Sequence, residues 1–250
     1  HSLIATQLLS RIRECFGVEF PLRAVFDYPT IAELAERLEG LEGKGKEEQT
    51  GIPRRSGNEK LPLSNAQQRL WFLDQLEPGS PYYNMCLSVR LKGPLSVEAL
   101  ERSIQSITDR HEMFRTTFPL ENEQPVQWIA PSLQVALIVE DLTPFAETNE
   151  AVEAVVREEA RRPFDLSNGP LLRTKLLRTG AEEHLLLLTM HHIVSDGWSL
   201  GVLQRELEEF YVSFVSGSES GLPGLDVQYA DYVLWQRERM QDGRLEPQLA

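Results

Sequence analysis

Along residues 1–40 apolar side chains recur every three or four positions. Leu8, Leu9, Ile12 and Phe16, following Ser2, predict an amphipathic helix that stops at Gly17. Pro21 to Phe26 reads as a short second helix. Thr30 with Glu33 forms an S/T-x-x-E box at the start of a third, which carries Ile31, Leu34, Ala35 and Leu38 on its inner face. From Gly40 to Lys60 large apolar residues nearly vanish and Gly, Lys, Glu and Arg take over, the pattern of a solvated linker over about 41–60. From Leu61 onward the periods alternate. Ser64 and Gln67 form a capping box before a helix with Leu70, Trp71, Leu73 and Leu76, Met85 to Leu91 alternates as a strand, and Ser96 caps a helix running to about His111. Phe114 to Phe118, Val126 to Ile129 and Leu133 to Val139 read as strands, and Glu150 to Arg162 as a helix stopped by Pro163. Leu171 to Arg178 and His184 to Met190 form a strand pair joined at Gly180. Two further helices span about Leu200–Ser216 and Tyr229–Gln241. This mixture predicts an α+β sandwich over 61–250, preceded over 1–40 by part of a small helical domain.

Composition narrows the classes. With 41% hydrophobic residues the chain can form a core, and its longest apolar run, Leu185 to Leu188, suits a buried strand and not a bilayer span. A formal charge of −13 argues against nucleic acid or an anionic membrane as partner. Cys15 and Cys86 are isolated thiols without ligand spacing, expected as apolar side chains in a reducing cytoplasm. The chain opens on His1-Ser2-Leu3 without an initiator Met or signal pattern and closes directly behind a helical pattern, so a piece of a longer polypeptide is expected.

The candidate chemistry lies in Met190-His191-His192-Ile193-Val194-Ser195-Asp196-Gly197, at the end of the Leu-rich strand. A rigid buried strand accurately positions the residues just beyond its end. Adjacent histidines on an extended backbone point to opposite faces, so only one faces a given channel. A neutral imidazole there can take a proton from an amine or alcohol. Asp196 can order the turn, and Gly197 allows a backbone conformation that a Cβ would obstruct. A metal site would need further ligands, but His1, His111 and His184 are scattered and no Cys joins them, so no metal is expected. Two core histidines without chemistry are the default for an unflanked pair. Trp71, Trp198 and Trp235 read as core or helix-packing residues.

The flanking residues change that default. Met190 to Ser199 resembles the HHxxxDG motif of condensation domains in nonribosomal peptide synthetases. Leu63-Ser64-Asn65-Ala66-Gln67-Gln68-Arg69-Leu70-Trp71-Phe72-Leu73 is similar to the first motif of those domains. Arg110-His111-Glu112-Met113-Phe114-Arg115-Thr116-Thr117-Phe118 is similar to the second, and Tyr229-Ala230-Asp231-Tyr232-Val233-Leu234-Trp235-Gln236 to the fourth. The resemblance implies the N-terminal lobe of a chloramphenicol-acetyltransferase-like fold that forms amide bonds between carrier-bound aminoacyl or peptidyl thioesters. It implies that His192 lies at the acyl-transfer centre, deprotonating the incoming α-amine or orienting it, and that Gly197 keeps the channel open. His191 is expected to pack inward and Asp196 to pair with Arg115 across the core, so that Arg115→Ala would impair folding. The sequence ends after one of the family's two lobes, which implies that this chain alone is inactive.

Residues 1–40 likewise resemble the second half of a peptidyl carrier domain, through His1-Ser2-Leu3-Ile4-Ala5-Thr6-Gln7-Leu8, Pro21 to Phe26 and Pro29 to Ala35. The resemblance implies 4′-phosphopantetheine attached covalently to Ser2, at a helix N-terminus that suits its phosphodiester. It also implies a phosphopantetheinyl transferase and neighbouring carrier and adenylation domains as partners, in the cytoplasm. His1 before Ser2 favours L-configured donor and acceptor, and the intact His-His-x-x-x-Asp-Gly argues against heterocyclisation. A related acyltransferase or epimerisation domain, and a catalytically silent carrier or docking module, remain as alternatives.

Overall fold

A computed structural model describes residues 2–18, 20–40, 51–57, 61–145 and 149–241, with the side chains of Ser2, Leu3, Gln7, Arg13, Glu14 and Gln241 outside the description. The chain divides into two units, His1–Gly51 and Ile52–Ala250.

The first unit holds α1 (Ser2–Phe16), α2 (Leu22–Asp27) and α3 (Ile31–Glu39). Gly17, with φ +66°, ends α1 in the left-handed region. Thr30 caps α3 through the predicted box, accepting from the Glu33 N–H while the Glu33 carboxylate accepts from the Thr30 N–H. A small core of Ile12, Phe20, Ala24 and Leu34 gathers Leu9, Tyr28 and Leu38 around it. Leu8, Phe16 and Ile31, expected to face inward, are exposed. Three short helices bury only a narrow stripe each.

The second unit begins earlier than the expected linker end. Ile52 already belongs to it, and Arg55 is held by its side chains. Its elements are α4 (Asn65–Leu76), β1 (Asn84–Lys92), α5 (Val97–Arg110), β2 (Thr116–Thr117), β3 (Leu120–Glu121), β4 (Gln124–Pro125), β5 (Trp128–Ile129), β6 (Leu137–Asp141), α6 (Asn149–Arg161), β7 (Leu172–Arg178), β8 (Glu183–His191), α7 (Gly197–Ser216) and α8 (Tyr229–Gln241). The main sheet has the order β1-β8-β7-β6, antiparallel except for the parallel β6–β7 pair. The Leu-rich run is now explained. Leu186, Leu188 and Met190 of β8 enter the large core that includes Leu100, Ile104, Ile107, Leu203 and Leu207 of α5 and α7, whereas Leu187, with Leu185 beside it, packs with Leu142, Leu177 and the valines of α6. A strand covered on both faces loses its polar alternation.

Two expected strands are shorter than predicted. Residues Glu112–Arg115 form a 3₁₀ turn that closes the end of α5, with the Phe114 N–H donating to the His111 carbonyl at 3.1 Å, so extended pairing starts only at Thr116. Residues 132–136 are likewise irregular. The Val135 N–H there donates to the Gln105 side chain at 3.2 Å, and ladder pairing starts at Leu137. No described helix is long and apolar enough to cross a membrane.

Candidate acyl-transfer site

The central strand β8 ends at His191, and a short turn carries the chain into α7. Residue parity along the strand puts His191 on the α6 side, where it is 2% exposed and meets Phe164 edge-on, with ring centroids 6.2 Å apart. Its Nδ1 accepts the Ile193 N–H at 3.1 Å, so the ring proton resides on Nε2, which is buried without a hydrogen-bond partner among the described residues. Burial, reinforced by the adjacent His192, lowers the pKa of His191 to about 4 and keeps it neutral.

His192 lies in the turn and is exposed. Its N–H donates to the Tyr83 carbonyl at 2.8 Å, which fixes the backbone. Its Nδ1 lies 2.7 Å from the Ser195 carbonyl oxygen, which can only accept. Nδ1 therefore carries the proton, and Nε2 presents its lone pair outward. The turn thus sets both orientation and tautomer.

Asp196 is the N-cap of α7. Its carboxylate accepts the Ser199 N–H at 2.8 Å and the Ser199 hydroxyl at 2.8 Å, and its own N–H donates to Ser199 Oγ at 2.7 Å. The expected pair with Arg115 is not made. Arg115 donates to the Ala130 carbonyl at 2.5 Å and lies 3.9 Å from Glu112. The physical reason is local: the free N–H groups of the first turn of α7 are nearer to Asp196 than any arginine, and they take its oxygens. Gly197 is the first residue of α7. It has no positive φ, and a Cβ there would meet nothing within 4 Å among the described residues, so the expected backbone requirement is absent.

The other motifs converge on this turn. Gln67 of α4, 2% exposed, accepts the Ser64 N–H at 2.9 Å and donates to the Ile193 carbonyl at 3.4 Å. The Ser64 hydroxyl lies 3.1 Å from the hydroxyl of Tyr229, the first residue of α8. Burial raises the Tyr229 pKa, so it remains a hydroxyl. A cavity of about 750 Å³ opens over His192, with Leu70, Tyr83, Met113, Trp198 and Tyr229 in its wall. Of the three tryptophans expected to pack, Trp71 donates to the Phe118 carbonyl at 3.3 Å and packs on the core, and Trp235 packs against Tyr232, whereas Trp198 is 44% exposed and lines the cavity. Gln67, Tyr83 and Tyr229 were missed as site residues. In sequence Gln67 reads only as half of a capping box, and Tyr83 has no pattern around it.

A strand end thus presents an oriented imidazole to an apolar cavity, and the relationships of the chain bear on what that site belongs to. Residues 58–250 match the Condensation domain family, and residues 1–38 match the Phosphopantetheine attachment site family. The chain belongs to the condensation-domain family of nonribosomal peptide synthetases. It is 45% identical over its full length to a linear gramicidin synthase polypeptide of Brevibacillus parabrevis, of which it spans 3%. It is 46% identical over 78% of its length to phosphinothricin tripeptide synthetase PhsC of Streptomyces viridochromogenes, of which it spans 18%. Among solved structures it resembles the X-domain from teicoplanin biosynthesis (29% identity, TM-score 0.67, 78% of this chain and 41% of that one). It shares the fold of the starter condensation domain of rhizomide synthetase RzmA (22% identity, TM-score 0.68, 73% and 44%).

Proposed function

We propose that this chain is the module boundary of a peptide assembly line, at which the condensation part joins two carrier-bound thioesters through a new amide bond. The free Nε2 of His192, in the tautomer imposed by the Ser195 carbonyl, carries this reading. As an α-amine attacks the thioester carbonyl, the C–N bond forms and the C–S bond breaks. Nε2 can accept the proton that the nitrogen loses and return it to the departing thiolate. Neutral His191 and the Asp196 cap hold the turn and take no part in the proton transfer, and Gly197 leaves the space beside it open.

Ser2 is the proposed attachment residue for 4′-phosphopantetheine. Helix α1 begins at Ser2 and has no acidic residue in its first turn, so its N-terminal N–H groups favour a phosphodiester and no carboxylate of that turn opposes it. The group would supply a flexible arm bearing the acyl thioester. The partners implied are a phosphopantetheinyl transferase and the adjoining carrier and adenylation domains, in the cytoplasm. A docking role without catalysis has one point in its favour, because one similar solved structure is a complex of the X-domain and OxyB from teicoplanin biosynthesis. The intact and oriented His192 favours catalysis.

The test uses a longer chain that includes the complete condensation domain and both carriers, preloaded with aminoacyl groups. Wild type is expected to form the amide and His192→Ala to lose it by about 10²–10⁴-fold. Equal product from both would remove the proposal. The 250 residues alone are expected to form no amide.

A further inference from the structure

Tyr229 is the first residue of α8, and the start of that helix is held in place. Buried Asp231 accepts the Gln228 N–H at 2.7 Å and the Arg55 guanidinium at 3.1 Å. Tyr229 lines the cavity that opens over His192, whereas buried Ser64 does not reach it. The two hydroxyls lie 3.1 Å apart, and on distance alone either could be the donor. Proton counting decides between them. Ser64 Oγ already accepts the Gln67 N–H at 3.1 Å. Among the described residues its own proton then has one acceptor within reach, the Tyr229 oxygen. If Tyr229 donated instead, the Ser64 proton would be buried without a partner, which is the costly arrangement. The bonds therefore run one way, from the Gln67 N–H to Ser64 and on to Tyr229, and the Tyr229 proton is left for the cavity. Each bond in such a chain polarises the next, which makes the last hydroxyl a better donor. Burial, opposed by the Ser64 bond and reinforced by the charge of Asp196, pushes the Tyr229 pKa up, so the proton stays on oxygen. Arg69 and Trp198 also line the cavity, but both are exposed and make no hydrogen bond among the described residues. Tyr229 is the donor that is already oriented.

We infer that the Tyr229 hydroxyl donates to the carbonyl oxygen of the acyl thioester in this cavity, an inference that rests on the amide-forming reading of His192. The free Nε2 of His192 is an acceptor and suits an N–H of the attacking amine. What the thioester needs in addition is a donor for its oxygen, and Tyr229 supplies it. As the amine nitrogen bonds to the carbonyl carbon, the π pair of the C=O bond moves onto oxygen. Tyr229 stabilises that charge and keeps its own proton. The pair returns to re-form C=O as the C–S bond breaks. A donor fixed before the reaction need not reorient when the charge develops, and it acts more strongly in an apolar cavity than in water.

The longer chain with the complete condensation domain and both carriers tests this. Tyr229→Phe removes only the hydroxyl and is expected to lower amide formation about 10²–10³-fold. A second readout does not depend on turnover. The donor carrier is loaded with an aminoacyl group labelled with ¹³C at its carbonyl, and the acceptor carrier is left without its arm. The labelled C=O infrared band is then expected at lower wavenumber in wild type than in Tyr229→Phe. Ser64→Ala is expected to form amide no faster than wild type. A faster rate would show that Tyr229 had been donating to Ser64 and would overturn the assignment. So would equal, measurable rates in wild type and Tyr229→Phe, or one band position for both. If Tyr229→Phe does not fold, 3-fluorotyrosine at position 229 keeps the hydroxyl, makes its proton more acidic and is expected to lower the band further; an unmoved band overturns the inference. If no chain forms amide, the amide-forming reading fails, and the carbonyl band still decides whether Tyr229 meets the thioester.

Discussion

Asp196 and Arg115 pose the sharpest quantitative question, because cap and ion pair predict different energies for the same residues. If Asp196 acts as the N-cap of α7, Asp196→Ala removes the acceptor of the Ser199 N–H and costs about 1 kcal/mol. Asp196→Asn preserves a cap and changes stability by only a few tenths. Arg115→Ala frees the Ala130 carbonyl of a charge-assisted bond and costs about 1.5–3 kcal/mol. The two sites share no partner, so the double variant should be additive within about 0.5 kcal/mol. A buried Asp196–Arg115 pair would instead make each single change cost about 3–5 kcal/mol, with strong coupling between them. Urea unfolding followed by tryptophan fluorescence measures this cleanly, since all four tryptophans (Trp71, Trp128, Trp198 and Trp235) lie in the second unit. In a thermal scan the cap should appear as a loss of about 2–4 °C for Asp196→Ala. A coupling energy above about 1.5 kcal/mol would refute the capping account.

Neutral His191 makes stability depend on pH. Its folded pKa of about 4 lies below the unfolded value near 6.5, so the unfolded chain binds more protons between those values. Stability should fall as pH drops from about 6.5 to 4, by about 3 kcal/mol more than in His191→Gln, and level off below that; parallel pH profiles of the two proteins would refute the burial argument. His192→Ala should lower the unfolding free energy by no more than about 1.5 kcal/mol, the worth of its bond to the Ser195 carbonyl at an exposed site, and a larger loss would mean that it is structural. Gln67→Leu should lower amide formation in the longer chain roughly 10–100-fold by loosening the turn, and ¹⁵N spectra of His192 should then show a mixture of tautomers. Retention of pure Nδ1–H would count against that role.

Much of the fold was legible along the chain. The capping boxes at Thr30 and Ser64, the Leu-rich strand and the helices after it are set by local periodicity and by side chains three residues apart, which any linear reading captures. The four ordered motifs marked the family, and His192 was identified as the residue facing out. Three things lay beyond such a reading. Local pattern could not show that Phe114 and Arg115 turn instead of extending, because the end of α5 decides it. Nor could it show that Trp198 lines the cavity, since exposure depends on what packs against a helix.

Ion-pair choice lay furthest out of reach. A carboxylate takes whichever donors the fold brings nearest, so Asp196 capped its own helix, while Asp231 and Glu112 drew Arg55 out of a segment read as linker. The sequence by itself determined the elements, the family and the neighbourhood of His192, because these depend on spacing. Only the tertiary structure decided which charges meet and which nitrogen of His192 is free. Those depend on donors and acceptors that the fold brings within hydrogen-bonding reach, up to 176 residues apart along the chain for Arg55 and Asp231.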